Sequence, residues 1–295
     1  MTWNLQWLSE QQQEVKRTQQ DYTILKQIFL TYEPDILAFQ EVNDAASLYR
    51  IVPNDQYEIF MSSRIKNKDD IFNGSNQFTG FAVKKHLAVK TYPDITTLSS
   101  PAIALEKKHF KQKLRYGAAI KVTLNQHDIV IVSVHLKSGC FSPKQLTKKH
   151  KKSCQTLDLQ RILLQQWINQ QEMKKQPFIL IGDFNHRISL NTANDTTHFL
   201  SRSNPQSTIK WLTKNVKGNC LTKRIKNNKP YYRRYKHLID HGYSSNSFHV
   251  TSVQQIPYSP QQVEHNQLSD HCPIIFDLNF TPSRSSFLNG NKQQA

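Results

Sequence analysis

Polar side chains stand where apolar runs end. Asn4 lies within Thr2–Leu8, Glu41 closes Ala38-Phe39-Gln40-Glu41-Val42, and His135 closes Ile131-Val132-Ser133-Val134-His135. Asp183 and Asn185 end Ile179-Leu180-Ile181-Gly182-Asp183-Phe184-Asn185. Asp240 follows Leu238-Ile239, while Asp270 and His271 directly precede a strand that begins at Pro273. Ionisable side chains at strand ends of α/β proteins line a shared cleft. Any one of them alone reads more simply as a strand-end cap or an ion-pair partner; together they point to a site.

The set has a chemical logic. A phosphodiester is anionic, repels hydroxide and has a poor leaving group. Hard oxygen ligands such as Glu41 and Asp270 suit Mg²⁺ or Mn²⁺, which neutralises phosphoryl charge and stabilises the leaving oxygen. Asp183 can position or deprotonate water, and the neutral Asn185 can orient it or the phosphoryl oxygens. His135 and His271 can donate to developing negative charge. A carboxylate such as Asp240 can fix an imidazole tautomer and raise its pKa.

These residues need strands and helices to position them. Thr2–Leu8 reads as a first strand. Tyr22, Leu25, Phe29 and Tyr32 keep helical spacing within residues 13–32, and Pro34 stops that helix. Ile36–Phe39, Tyr57–Met61 and Gly80–Val83 read as strands. Ala118–Leu124 and Ile129–His135 read as a hairpin that turns at 125–128. A second helix is expected over Thr156–Met173, followed by a strand at Phe178–Ile181. Residues 190–236 read as irregular, and Pro273–Phe280 as the last strand. The Ser-, Asn- and Gln-rich stretch 281–295 is expected to be a flexible tail, leaving one domain over 1–280.

Lys and Arg total 39 against 22 Asp and Glu, a net charge of +17, which favours a polyanionic partner: nucleic acid or an anionic membrane surface. No apolar run approaches the roughly 20 residues of a bilayer span. Cys140, Cys154, Cys220 and Cys272 match no zinc spacing. A disulfide between Cys140 and Cys154 would close a polar loop and contribute up to about 3 kcal/mol; four reduced thiols in a cytosolic protein is the other reading. No secretory leader is visible at Met1. The sequence leaves the location open: secreted or periplasmic if a leader is missing from this chain, otherwise cytoplasmic.

Thr2-Trp3-Asn4-Leu5-Gln6-Trp7, Ala38–Val42, Val134-His135-Leu136-Lys137-Ser138-Gly139, Gly182–Asn185, Ile239-Asp240-His241 and Ser269-Asp270-His271-Cys272-Pro273 occur in an order that resembles the endonuclease/exonuclease/phosphatase superfamily. The resemblance is to its deoxyribonuclease I-like, bacterial-type nuclease branch, and it runs from Thr2 to about Phe280. It implies a four-layer α/β/β/α sandwich with two mixed sheets face to face and the cleft at one edge. It further implies a metal-dependent phosphoric ester hydrolase with Glu41 as principal metal ligand, Asn4 beside it and Asp270 as a further ligand. Asp183 and Asn185 would handle water and phosphate, Asp240 and His271 would form a carboxylate–histidine dyad, and His135 would be a second catalytic histidine. Arg115 resembles the arginine that grips a substrate phosphate. Arg187 is open to two readings, phosphate contact or structure, and His241 reads as packing. The stretch Phe78-Thr79-Gly80-Phe81 has no carboxylate where deoxyribonuclease I supports its equivalent of His135, so the resemblance supports His271 as a tuned acid more strongly than His135.

Members of this family act on nucleic acids, inositol polyphosphates or sphingomyelin. The Trp-Cys-Asp-Arg string of the inositol phosphatases is missing; His237-Leu238-Ile239-Asp240-His241 stands in its place. No clear aromatic hairpin of the kind sphingomyelinases use for membrane docking is evident in the sequence. Two basic segments adjoin the motifs: Lys144–Lys152, with Lys148, Lys149, Lys151 and Lys152, and Lys223–His237, with Arg233, Arg234 and Lys236 interleaved with Tyr231, Tyr232 and Tyr235. They suit phosphate neutralisation and base stacking, and the bland alternative is solvated loops. The expectation is a monomeric endonuclease with little sequence preference, acting on DNA first and RNA second. The alternatives are a phosphoesterase of another substrate class, sphingomyelin or an inositol phosphate, and, from a different class of function, an inactive nucleic-acid binder on the same scaffold.

Overall fold

Alternation builds the centre of the protein. In Ile129–Val134 the isoleucines face one side of their strand and Val130, Val132 and Val134 the other, and both sets are buried in separate clusters. A strand buried on both faces belongs inside a layered structure. The computed structural model describes residues 1–11, 14–106, 112–146, 151–188, 199–200, 209–227 and 229–281. Lys148, Lys149 and all of the expected tail except Thr281 lie outside the described residues.

The strands are β1 (Thr2–Leu8), β2 (Ile36–Val42), β3 (Tyr57–Met61), β4 (Phe78–Lys84), β5 (Ala88–Thr91), β6 (Ala118–Leu124) and β7 (His127–His135). They continue as β8 (Phe178–Asp183), β9 (Lys210–Trp211), β10 (Cys220–Lys226), β11 (Lys229–Tyr235), β12 (Asp240–Ser244), β13 (Phe248–Gln255) and β14 (Ile274–Phe280). The α-helices are α1 (Gln19–Tyr32), α2 (Ala45–Tyr49), α3 (Pro101–Ala104), α4 (Pro143–Leu146), α5 (Lys152–Met173) and α6 (Pro260–His265).

One sheet has the order β13-β14-β1-β2-β4-β3 and the other β5-β6-β7-β8-β12-β9. Both are mixed: β1–β2 and β7–β8 are parallel pairs among antiparallel ones. Their facing sides meet through Ala38, Phe81, Ile120, Val122, Ile131 and Ile181. Tyr22, Leu25 and Phe29 of α1 cover the outside of the first sheet, and Leu157, Leu164 and Ile168 of α5 cover the outside of the second. This is the expected α/β/β/α sandwich. Each fully buried Leu, Ile or Phe stabilises it by roughly 1.5–3 kcal/mol.

Several boundaries differ from the sequence reading for local reasons. α1 starts at Gln19, not near 13, because Thr18 caps it in a reciprocal pair with Asp21. α5 begins earlier than Thr156, at Lys152. The β6–β7 turn narrows to Asn125 and Gln126, whose φ angles of 49° and 66° match the twist of a two-residue hairpin. The largest correction concerns residues 190–236: instead of an irregular stretch, its end forms the antiparallel β10–β11 hairpin, and Lys210–Trp211 adds an edge strand. β11 escaped notice because six of its seven residues are exposed, so no apolar alternation marks it.

Candidate active site

The sheets bring distant residues together by register. His135 on β7 is paired with Asp183 on β8, and Asp183 with Asp240 on β12, so the three stand abreast at one sheet end. Gly182 makes this approach feasible: a Cβ there would lie 2.1 Å from the Val134 carbonyl oxygen. The other sheet supplies Asn4 and Glu41. Glu41 has a φ of 59° and sits where β2 slips register against both neighbours. Such a bulge re-aims a side chain, here into the cleft.

Asn4 ties the two sheets together. Its Nδ2 donates to Glu41 Oε1 and to Asp183 Oδ2, both at 3.0 Å. The Trp7 amide donates to Glu41 Oε2 at 3.2 Å. Asn185 donates from its backbone to Asp183 Oδ1 at 2.7 Å and from Nδ2 to Asp183 Oδ2 at 3.0 Å. Burial, with Asp240 and Glu41 close by, pushes the Asp183 carboxyl up to about 7, against the pull of His271. Burial also raises Glu41, aided by Asp270 and opposed by the Asn4 hydrogen bond.

The two histidines differ. His271 Nδ1 lies 2.8 Å from Asp240 Oδ2, and its Nε2 lies 3.8 Å from Asp183 Oδ2. Burial alone would lower its pKa, yet Asp240 and Asp183 outweigh burial and hold it well above the ordinary histidine value. His135 Nε2 lies 3.5 Å from both Glu41 Oε1 and Asp183 Oδ2, while its Nδ1 is buried without a hydrogen-bond partner. Burial, then Arg115 and His271, drive its pKa well below the ordinary value, so it is neutral. Thr79, in the position that lacks a carboxylate, donates instead to the Tyr116 carbonyl.

Arg115 donates to the Leu136 carbonyl at 3.1 Å and interacts electrostatically with Glu41 and Asp183. Asp270 turns elsewhere: its Oδ2 pairs with Arg224 Nη1 at 3.0 Å. It stands apart from the two groups of converging ligand atoms, Glu41–His135–Asp183 and Asp183–Asp240–His271. His241 is packed, as expected, between Phe184 and Trp211 and bonds Thr213. Lys151 and Lys152 are exposed at the start of α5. Arg233 and Arg234 are neighbours on β11 and therefore point to opposite faces of the hairpin. Arg234 donates to Asn219 at 2.7 Å, and Lys236 is exposed just beyond β11.

Sequence reasoning did not single out three supports. Cys140 is bonded to Cys154, but Cys220 is also bonded to Cys272, next to His271. An even cysteine count and the position of Cys272 beside His271 were the available signals. Arg224 joins the hairpin to Asp270. Tyr258 accepts from Trp3 Nε1 at 3.0 Å and donates to the His271 carbonyl, which fixes the backbone under that histidine.

The donor set fits a divalent cation. Carboxylates of Glu41 and Asp183 lie near one another with raised affinity for protons, and His135 Nε2 faces both at 3.5 Å, so the three offer ligand atoms to one point. Hard carboxylate oxygens suit Mg²⁺ or Mn²⁺.

The sequence profile of the Endonuclease/Exonuclease/phosphatase family matches residues 1–271. The chain belongs to this family, whose members are phosphoric ester hydrolases that generally depend on divalent metal. No curated protein sequence is significantly similar to it. A family protein from Bacteroides thetaiotaomicron superimposes with a TM-score of 0.61 at 15% identity, covering 95% of this chain and 97% of that one. The mannosyl-6-phosphatase of the same bacterium gives 0.59 at 16% identity, covering 95% and 98%. D. rerio TDP2, complexed with a single-strand DNA product, gives 0.61 at 17% identity, covering 94% and 97%.

Proposed function

We propose that this phosphoesterase is a monomer that hydrolyses nucleic acid, DNA foremost, within the chain and with little sequence preference, using Mg²⁺ or Mn²⁺. The observation that carries the reading is the arginine- and tyrosine-bearing β10–β11 hairpin, joined to the reacting groups through Arg224–Asp270 and Cys220–Cys272. Its cations would neutralise backbone phosphates, and such contacts carry no base information.

Glu41, with Asn4 and Asp183 beside it, would hold the cation, which supplies charge neutralisation at the phosphoryl group. The chain's own groups do the rest. Asp183, ionised once the cation is bound, would position the attacking water and accept its proton. Asn185, fixed through Asp183, keeps that carboxylate oriented. His271, held protonated by Asp240, donates a hydrogen bond to the phosphoryl oxygen as charge builds. Arg115 adds positive charge beside Glu41 and Asp183. Two disulfides favour an oxidising compartment, outside the cell or in a periplasm; alkylation mass spectrometry of protein from its native source would test this.

A second reading has its own observation. The hairpin exposes Ile225 (68%), Tyr231 (43%) and Tyr232 (48%), an aromatic tip that was not evident from the sequence and that suits a lipid surface. Incubation with plasmid DNA, RNA, sphingomyelin and an inositol phosphate, each with Mg²⁺ and with chelator, separates the readings. Metal-dependent cleavage of DNA supports the nuclease. Turnover confined to lipid or inositol substrate ends that reading.

A further inference from the structure

Beside the reacting groups lies a pocket of about 330 Å³. That is the lower end of the volume of small-molecule sites, roughly 300–1,000 Å³. Asp240, Asp270 and His271 form one wall, while Arg187, Arg233 and Tyr235 form others. Pairing explains the composition. Cys220, Thr222 and Arg224 lie opposite Tyr235, Arg233 and Tyr231, so one face of the hairpin carries these residues.

The arginines are not equivalent. Arg224 is committed to Asp270 and to the Tyr235 hydroxyl, at 3.0 and 3.2 Å. Arg233 lies with its guanidinium 4.9 Å from the centre of the Tyr235 ring and has no carboxylate partner among the described residues. The Arg187 side chain likewise has none; only its backbone is tied down, to the Phe141 carbonyl at 2.9 Å. The pocket therefore offers a cation–aromatic pair, Arg233 over the Tyr235 ring, as a platform, and a separate uncommitted cation at Arg187. Unstacked bases are recognised on such aromatic and guanidinium planes, and arginine forks fit phosphate oxygens.

We propose that this pocket is a subsite for one unstacked nucleotide next to the scissile phosphate, with its base on the Arg233–Tyr235 platform and a phosphate at Arg187. A base held in a duplex stack cannot enter a pocket of this size, so single strands and frayed ends are favoured over paired duplex. The assignment of the ligand as a nucleotide rests on the nucleic-acid reading above.

Calorimetric titration of the metal-free protein with adenosine 5′-monophosphate, adenosine and inorganic phosphate tests it without turnover. The monophosphate should bind at least tenfold tighter than either part. Arg233→Lys keeps the charge and loses the plane. It should weaken the monophosphate about tenfold, within the roughly 1–3 kcal/mol of a stacked base, and leave phosphate within twofold. Arg187→Ala should weaken both ligands, with thermal melts confirming that each variant is folded. In cleavage assays the wild type should prefer single-stranded over blunt duplex oligonucleotide by kcat/KM, and Arg233→Lys should lose that preference. Equal binding of monophosphate and phosphate, or equal loss of both in Arg233→Lys, would overturn the subsite. A chain that cleaves neither strand form would end the nucleic-acid reading, while the calorimetric comparison still decides the pocket.

Discussion

The buried cluster around Asp183 and the exposed hairpin of β10 and β11 use charge in opposite ways. In the cluster, Glu41, Asp183, Asp240, His135 and His271 are withdrawn from water and lie within a few ångströms of one another. Low dielectric makes each charge felt by the next, and the outcome is raised Glu41 and Asp183 carboxyls beside one neutral and one protonated histidine. On the hairpin, Arg233, Arg234 and Lys236 are solvated, and screening limits each to a modest, additive effect on affinity. Arg224 and the Cys220–Cys272 bond join the regions. The lesson is that perturbation marks the groups suited to react, whereas exposure and number mark the groups suited to gather a polyanion.

The largest effect should come from the cluster. Asp183→Asn is nearly isosteric and should lower kcat by roughly 10²–10⁴, the usual contribution of a positioned acid or base, while DNA retention in gel-shift assays persists. Unchanged activity would remove Asp183 from the chemistry, and a wild type that binds without cleaving would favour the inactive binder. Next comes the link between the regions. Removing the Cys220–Cys272 bond by a double Cys→Ser substitution opens a loop of about 50 residues and should cost up to about 4 kcal/mol. Denaturant unfolding under non-reducing conditions measures this, and an unchanged midpoint would mean that the hairpin is anchored by packing alone.

A third test concerns protons. Asp183 in the metal-free protein retains its proton to higher pH than an unfolded aspartate, whose pKa is about 3.9. Between these values the folded state binds more protons, so this group's contribution makes stability fall as pH rises toward 7. A divalent cation must displace the proton, so its affinity should rise by about tenfold per pH unit below 7 and level off above. Calorimetry of Mg²⁺ or Mn²⁺ binding in buffers of different ionisation enthalpy would register the released proton; a pH-independent affinity would contradict the raised carboxylate. The smallest effect belongs to the hairpin. Lys236→Ala, exposed at the end of the hairpin, should reduce the slope of log affinity against log salt by about one, and Arg234→Ala, bonded to Asn219, by less. A flat salt response in the wild type would remove the hairpin as a phosphate track.

Much of the site was legible because strand ends advertise themselves. Asn4, Glu41, His135, Asp183 and Asp240 each interrupt or close an apolar run, and the structure brings all five together with Asn185 and His271. Asp270 was legible as an acid next to a histidine, but its commitment to Arg224 was not, because the partner lies 46 residues away in the sequence, across a hairpin without apolar alternation.

Residue chemistry and most strand positions were determined by the sequence alone: where apolar runs begin and end, where carboxylates and imidazoles occur, and that the chain is strongly basic. Tertiary structure decided which of those groups share a dielectric, through the bulge that turns Glu41 inward, the register that sets Asp183 between His135 and Asp240, and the disulfide that brings the hairpin to His271. The physical reason is that alternation follows from covalent geometry between neighbours, whereas electrostatic coupling depends on distance and solvent exclusion between residues far apart in the chain.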